Sequence, residues 1–208
     1  MIAIVDYGVG NLRSVQKAFE SLGHEALITE DPAVFATAEG VVLPGVGAFG
    51  DAMDSLRHLE LVQPLRRYVE GGKPLLGICL GMQLLFAVSE EHGQHEGLGF
   101  IPGQVIRMRG EYKIPQVGWN QLQITAPHPL LHGIATGAYA YFVHSYYVTP
   151  AAAGVVVATT DYYNSVPAVV AQDNIYGMQF HPEKSSLAGI AMLGNFAAIC
   201  HPEVKVPC

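Results

Sequence analysis

The first hundred residues alternate between two kinds of pattern. Short, unbroken apolar runs rich in branched residues, "IAIVDY", "EALITE", "GVVLPG" and "KPLLGI", read as buried strands. Longer stretches with apolar positions three and four apart read as helices. These are "NLRSVQKAFESLG", with Gly23 as its stop signal, "FGDAMDSLRHLELVQPLRRYVEGG", broken or kinked near Pro64, and "GMQLLFAVSEEHG". Repeated strand-then-helix units predict a parallel, doubly wound α/β sheet with its functional loops at the carboxyl ends of the strands. From about Gly97 the pattern changes. "GLGFIPGQVIRM", "WNQLQI", "AYAYFVHSYYV", "GVVVATTDY", "PAVVAQ" and "IYGMQF" are short β-runs divided by Gly, Pro, Asn and His-Pro turns. They predict added antiparallel strands before a final helix, "SSLAGIAMLGNFAAIC". With no internal repeat and no linker-like tract, a single domain over residues 1–208 is expected.

Composition narrows the possibilities. Half of the 208 residues are hydrophobic and 14% are charged, as in a compact globular chain. A net charge of -7 without a Lys/Arg cluster argues against nucleic-acid binding. Three cysteines, none at CxxC spacing, argue for a reducing compartment rather than a disulfide framework or a zinc site. The start, "MIAIVDYG", lacks the features of a signal peptide, and the apolar run from Pro74 to Val88 is too short to span a bilayer. A soluble, cytoplasmic protein is expected, with no membrane partner.

Gly77-Ile78-Cys79-Leu80-Gly81 carries the chemistry. A cysteine that only packs needs no glycines beside it, and buried packing is the commoner fate of a lone cysteine. Here glycines flank Cys79 at a strand-to-helix junction, in the Gly-x-nucleophile-x-Gly pattern of a strained elbow that lifts the nucleophile above the sheet. The helix start would favour a thiolate. Cys200 falls on the apolar face of the last helix and reads as core, while the terminal Cys208 reads as incidental.

A cysteine nucleophile wants an imidazole base, and that base wants an orienting carboxylate. Most of the nine histidines lie in turns, and Pro129 and Gly133 spoil the helix that His128 and His132 would need to bind a metal. His181 instead follows the strand "IYGMQF" and opens "HPEK". In an extended segment His181 and Glu183 point the same way, with Pro182 stiffening the pair. Donors for an oxyanion are expected from "LPGVGAFG", where Gly45 and Gly47 permit close backbone approach and leave the amides of Val46 and Gly47 available.

Together the elbow, the glycine loop and "HPE" resemble the class I (triad) glutamine amidotransferase family, over essentially the whole chain. The resemblance implies a doubly wound, flavodoxin-like mixed sheet and a glutaminase that uses no cofactor and no metal. By it, Cys79 is the nucleophile, His181 the acid/base and Glu183 its orienter. Gln83 helps hold L-glutamine, and the backbone of Ser145 and Tyr146 binds the amino-acid end. A closer resemblance to one branch of the family rests on "DYGVGNLRSV", "PGVGAF", "PQVGWN", "YFVHSYY" and "FHPEKS". It implies a heterodimer with a separate (βα)8-barrel cyclase/synthase subunit that receives the ammonia. Asn11, Arg13, Trp119, Asn120, Tyr141 and Lys184 would face that partner. Many members have a histidine where this chain has Gln116, a difference that reads as a surface detail.

Three other readings are weaker. "GVGNLRS" has Gly8 and Gly10 of a dinucleotide fingerprint but Arg13 where the third glycine belongs. A stand-alone cysteine hydrolase would share the triad and need no barrel. A catalytically dead assembly protein would not need Cys79, His181 and Glu183 intact.

Overall fold

The computed structural model describes residues 1–201, so Cys208 lies outside the described residues. The chain runs β1 (Ile2–Val5), α1 (Leu12–Ser21), β2 (Ala26–Thr29), α2 (Pro32–Thr37), β3 (Gly40–Gly45), α3 (Phe49–His58), α4 (Val62–Glu70), β4 (Leu75–Cys79) and α5 (Leu80–Leu84). It continues β5 (Phe86–Ser89), β6 (His95–Glu96), β7 (Ile101–Arg107), β8 (Gln116–Ile124), β9 (Tyr139–His144), β10 (Tyr146–Pro150), β11 (Val156–Asp161), β12 (Ser165–Gln172), β13 (Ile175–Met178) and α6 (Ser186–Cys200).

Two sheets form. The larger has nine strands in the order β2-β1-β3-β4-β13-β12-β11-β8-β9; the smaller is β10-β7-β5-β6. In the larger sheet β2, β1, β3, β4 and β13 are parallel, and β12, β11, β8 and β9 add antiparallel. This is the mixed α/β sheet with antiparallel additions that the sequence predicts. Successive strand residues point to opposite faces, so every residue of β1 is buried. Ile2 and Ile4 pack with α1 and α6 through Val15, Phe19, Met192 and Phe196. Ala3 and Val5 pack on the other face with Phe35, Phe49, Leu56 and Leu65, and this second core continues into the small sheet through Phe86, Ile101 and Val148.

Several elements depart from the sequence reading. The short α2 has no counterpart in the hydrophobic pattern, although Asp31 caps it by accepting from the Ala33 N–H at 2.9 Å and Pro32 opens it, a standard helix start. The long helical region divides into α3 and α4 over residues 59–61, where Glu60 adopts φ 54°, rather than at Pro64. Pro64 sits in the first turn of α4, where its missing N–H costs nothing.

The helix expected over "GMQLLFAVSEEHG" stops at Leu84 and the chain leaves as strand β5. Leu84, Leu85 and Phe86 are all fully buried, so this run has no polar side to face water; its last residue begins the second sheet. The single run "AYAYFVHSYYV" is likewise two strands, because at Ser145 the chain crosses from the large sheet to the small one.

Candidate active site

β4 hands over to α5 at Cys79, whose φ of 56° and ψ of -112° make it a strained elbow. The glycines around it are set by crowding. A Cβ on Gly81 would stand 1.7 Å from the Leu43 carbonyl oxygen, and one on Gly77 would stand 2.6 Å from the Gly81 oxygen. Gly45 lies opposite Cys79 across the β3–β4 pair, where a Cβ would meet the Tyr7 hydroxyl at 2.5 Å. α5 has only five residues, so the helix dipole expected to favour a thiolate is small.

The neighbour of Cys79 is brought by β13, which lies parallel to β4 with Gly177 beside Gly77 and Met178 beside Ile78. Two strand ends distant in sequence thus sit side by side, and the chain beyond Met178 delivers His181 to Cys79. His181 Nδ1 lies 2.9 Å from Glu183 Oε1, which leaves Nε2 for the sulfur. The pairing arises from a tight turn rather than the extended segment expected, since Pro182–Lys184 form a single 3-10 turn. Both side chains are almost sealed from solvent, at 5% and 1% exposed. Burial works against a charge on His181, but hydrogen bonds to the Cys79 sulfur and the Glu183 carboxylate prevail and push its pKa up to about 9. Both contacts thus favour the protonated imidazole.

Side chains that the sequence reading missed hold this arrangement. Ser185 Oγ donates to the His181 carbonyl at 2.6 Å and accepts from the Tyr141 N–H at 2.9 Å, while the His181 N–H donates to the Tyr141 carbonyl at 3.0 Å. The Tyr7 hydroxyl donates to the Pro44 carbonyl at 2.7 Å and fixes the base of the glycine loop; burial beside Cys79 keeps that phenol well above the usual range.

A cavity of about 270 Å³ opens over Cys79 and is lined by Val46, Gly47, Leu80, Gln83, Glu91, Pro115, Val143, His144, Ser145, Tyr146 and His181. Of the expected oxyanion loop, Val46 and Gly47 face it, while Gly45 lies behind as packing. Gly47 has φ 100° and nothing around its α-carbon that a side chain would strike. Leu80, whose N–H follows the nucleophile, is a donor position that the elbow pattern itself could have disclosed. Glu91 carries a carboxylate to the cavity wall and accepts from the Phe49 N–H at 2.7 Å at the start of α3. Gln83, Ser145 and Tyr146 line the wall opposite the loop.

The residues expected to meet a partner divide. Asn11 donates to Glu183 Oε1 at 3.4 Å and so supports the triad from behind. Arg13 and Lys184 are exposed. Trp119 and Tyr141 are directly paired across β8 and β9 with their rings edge-on at 5.9 Å, and Trp119 is 52% exposed. Val117 and Val143, the next pair on that face, are exposed as well, and Val143 also lines the cavity. Asn120 points to the opposite face, where its Nδ2 donates to the Asp161 carbonyl at 2.7 Å. Gln116, expected at the surface, is buried against His144. Its alternation along β8 turns it inward. Cys200 is core, and burial pushes its thiol up to about 12.

Comparison with known proteins gives a consistent picture. Residues 3–200 match the family "Glutamine amidotransferase class-I". The chain is 54% identical to a protein of Syntrophotalea carbinolica over 94% of this chain and 98% of that one. It is 53% identical to a protein of Desulfitobacterium hafniense over 99% and 98%. Both relatives are named imidazole glycerol phosphate synthase subunit HisH. Among solved structures, PurLQS from Thermotoga maritima superimposes with a TM-score of 0.76 at 19% identity, covering 95% of this chain and 97% of that one. The glutaminase domain of Trypanosoma brucei CTPS, solved with bound acivicin, gives 0.68 at 18% identity, covering 99% and 95%. At those identities the structures speak for the fold, and the family match with the relatives at about half identity settles membership: this chain belongs to the class-I glutamine amidotransferases.

Proposed function

We propose that the chain is the glutaminase half of a two-subunit enzyme of histidine biosynthesis, and that it supplies ammonia to a separate cyclase subunit making imidazole glycerol phosphate and an aminoimidazole carboxamide ribotide. The observation that carries this reading is the meeting of Cys79, His181 and Glu183 over one cavity, in a chain about half identical to proteins named for that synthase.

The chemistry follows from the geometry. L-glutamine enters with its amide carbon over Cys79. Its ammonium end meets Glu91, a carboxylate on the cavity wall, and its carboxylate meets the backbone of Ser145 and Tyr146. The protonated His181 stabilises a thiolate on Cys79, which attacks the amide carbon. The oxyanion that forms draws on the Leu80 N–H and on the amides of the Val46–Gly47 loop. His181 Nε2 gives its proton to the departing nitrogen, ammonia leaves, and a thioester remains. Neutral His181 then takes a proton from water as the hydroxide attacks the thioester. The carbon–sulfur bond breaks, glutamate leaves and the starting ion pair returns. Glu183 keeps the imidazole in the orientation that both proton transfers require.

The cyclase is a (βα)8 barrel in this reading. It docks on the exposed face bearing Trp119, Tyr141, Val117 and Val143, which begins at the cavity mouth, with Arg13 and Lys184 at the rim. A stand-alone hydrolase has no use for that apolar face. The test is to mix the chain with a histidine-pathway barrel cyclase and supply glutamine in place of ammonium. Product formation that disappears with Cys79→Ala supports the reading, and the same rates of glutamine hydrolysis with and without the cyclase would overturn its partnered form.

A further inference from the structure

A relay of uncharged polar side chains runs behind the cavity wall. Gln116 and His144 are directly opposite each other across β8 and β9, and both are buried. His144 Nε2 stands 3.1 Å from the Gln116 carboxamide oxygen, and His144 Nδ1 stands 2.8 Å from the Tyr146 carbonyl. The same carbonyl accepts from Gln83 Nε2 at 2.9 Å, and Gln83 Nε2 donates also to Gln179 Oε1 at 3.1 Å. Gln83 and Gln179 are buried too. The relay thus joins five residues from four elements and the segment after β13, and it ends on a side chain that lines the substrate cavity.

Proton accounting fixes how the relay is oriented. Burial pulls the His144 pKa down to about 4, so its ring is neutral and carries one N–H. Both ring nitrogens face oxygens. The Tyr146 carbonyl can only accept, and it makes the shorter contact, so the proton sits on Nδ1 and Nε2 becomes an acceptor. Gln116 meets that acceptor when the two ends of its carboxamide, which are alike in shape, exchange places. The exchange pairs the Gln116 Nε2 group, which otherwise is buried without a partner, and sets the carboxamide oxygen in its former place. At the far end, the Gln83 amide nitrogen spends its two hydrogens on Tyr146 and Gln179. Only its oxygen is left for the cavity.

We propose that Gln116 is a positioning residue for substrate selection: acting through His144 and the Tyr146 carbonyl, it holds Gln83 with its acceptor oxygen toward the ligand. A pocket so arranged favours a ligand that brings N–H groups, such as the glutamine carboxamide, over the glutamate carboxylate that remains after hydrolysis. The inference rests on the glutaminase reading above. It adds a role for a side chain outside the triad and outside the cavity lining.

The test uses the complete chain paired with the barrel cyclase and measures steady-state kinetics with glutamine, together with inhibition by glutamate. Gln116→Leu is expected to raise KM about tenfold, the effect of freeing one buried hydrogen bond, with kcat kept within about twofold. Glutamate inhibition should tighten relative to glutamine binding, and Gln116→His, which retains a ring N–H donor, should restore the wild-type values. In a Gln83→Ala background, adding Gln116→Leu should leave KM unchanged, since the relay then has nothing to orient. If the leucine variant does not fold, Gln116→Met, of matching length and without hydrogen bonds, serves in its place. An unchanged KM, parallel losses in kcat and KM, or effects of the Gln83 and Gln116 substitutions that multiply would each overturn the proposal. A wild-type pair that cannot use glutamine would instead overturn the glutaminase reading, so the two failures are distinct.

Discussion

The wall of the cavity that carries Cys79 and His181, backed by Glu183, is sealed from solvent, whereas the wall formed by Val46 and Gly47 stands open to it. On the closed side Gly77 and Gly81 press against backbone, so no side chain can be added there without moving a strand. On the open side Gly47 has room around it and needs only its positive φ. Cys79 and His181 are thus fixed by the sheet, and the Val46–Gly47 half of the proposed oxyanion site hangs on a loop anchored at its two ends by Tyr7 and Glu91. A crowded elbow and an open loop are built from the same residue type, glycine, used for opposite reasons.

The contrast is sharpest when the chemistry itself is removed. Cys79→Ala should lower glutamine-dependent turnover about 10⁴-fold or more, and Glu183→Gln about 10²–10⁴-fold through loss of His181 orientation. Both variants should leave ammonium-dependent synthesis by the paired cyclase intact, as assayed with the two nitrogen sources in parallel. Gly81→Ala and Gly47→Ala compare the walls directly. The first drives a methyl group into the Leu43 carbonyl and should cost about 3 kcal/mol or more in denaturant unfolding. The second meets no atom and should cost only the roughly 1–2 kcal/mol of a side chain at positive φ, while still slowing turnover. Equal stability losses would erase the distinction between the walls.

The pH dependence of stability tests the closed wall by itself, because two buried histidines on this cavity titrate in opposite senses. His181 has a folded pKa raised to about 9, so the folded state holds its proton more tightly than the unfolded chain. Its contribution is complete below about pH 6.5 and is lost as pH climbs through about 9. His144 has a folded pKa lowered to about 4, so the unfolded chain takes up a proton first. Its neutral burial has no cost above about pH 6.5 and destabilises progressively as pH falls toward 4. A plot of Tm against pH should decline on both flanks, with His181→Gln removing the alkaline decline and leaving the acid one.

Much of this was legible in the sequence, because the decisive features are local. An elbow needs small residues at fixed offsets, and "HPE" sets an imidazole two positions from a carboxylate, so Cys79, His181 and Glu183 could be read without knowing how the strands pair. The strands of the first half were legible for the same reason, being buried on both faces and therefore apolar throughout. What could not be read depends on pairing. The helix-like run after Leu84 becomes a strand only because a second sheet lies beside it. Gln116 is buried because the register of β8 and β9 sets it against His144, and polar residues usually imply a surface. Ser185, Tyr7 and Glu91 act through backbone groups distant in sequence, and no local spacing announces such partners.

The placement of β13 against β4 also governs when the enzyme can become reactive during its own synthesis. A nascent chain that has emerged only as far as β12 already contains Cys79, but the neighbouring strand and the imidazole it brings have yet to be made. Ammonia cannot be released by a half-built molecule, because the last parallel strand has to slot into the middle of the sheet before sulfur and base first meet.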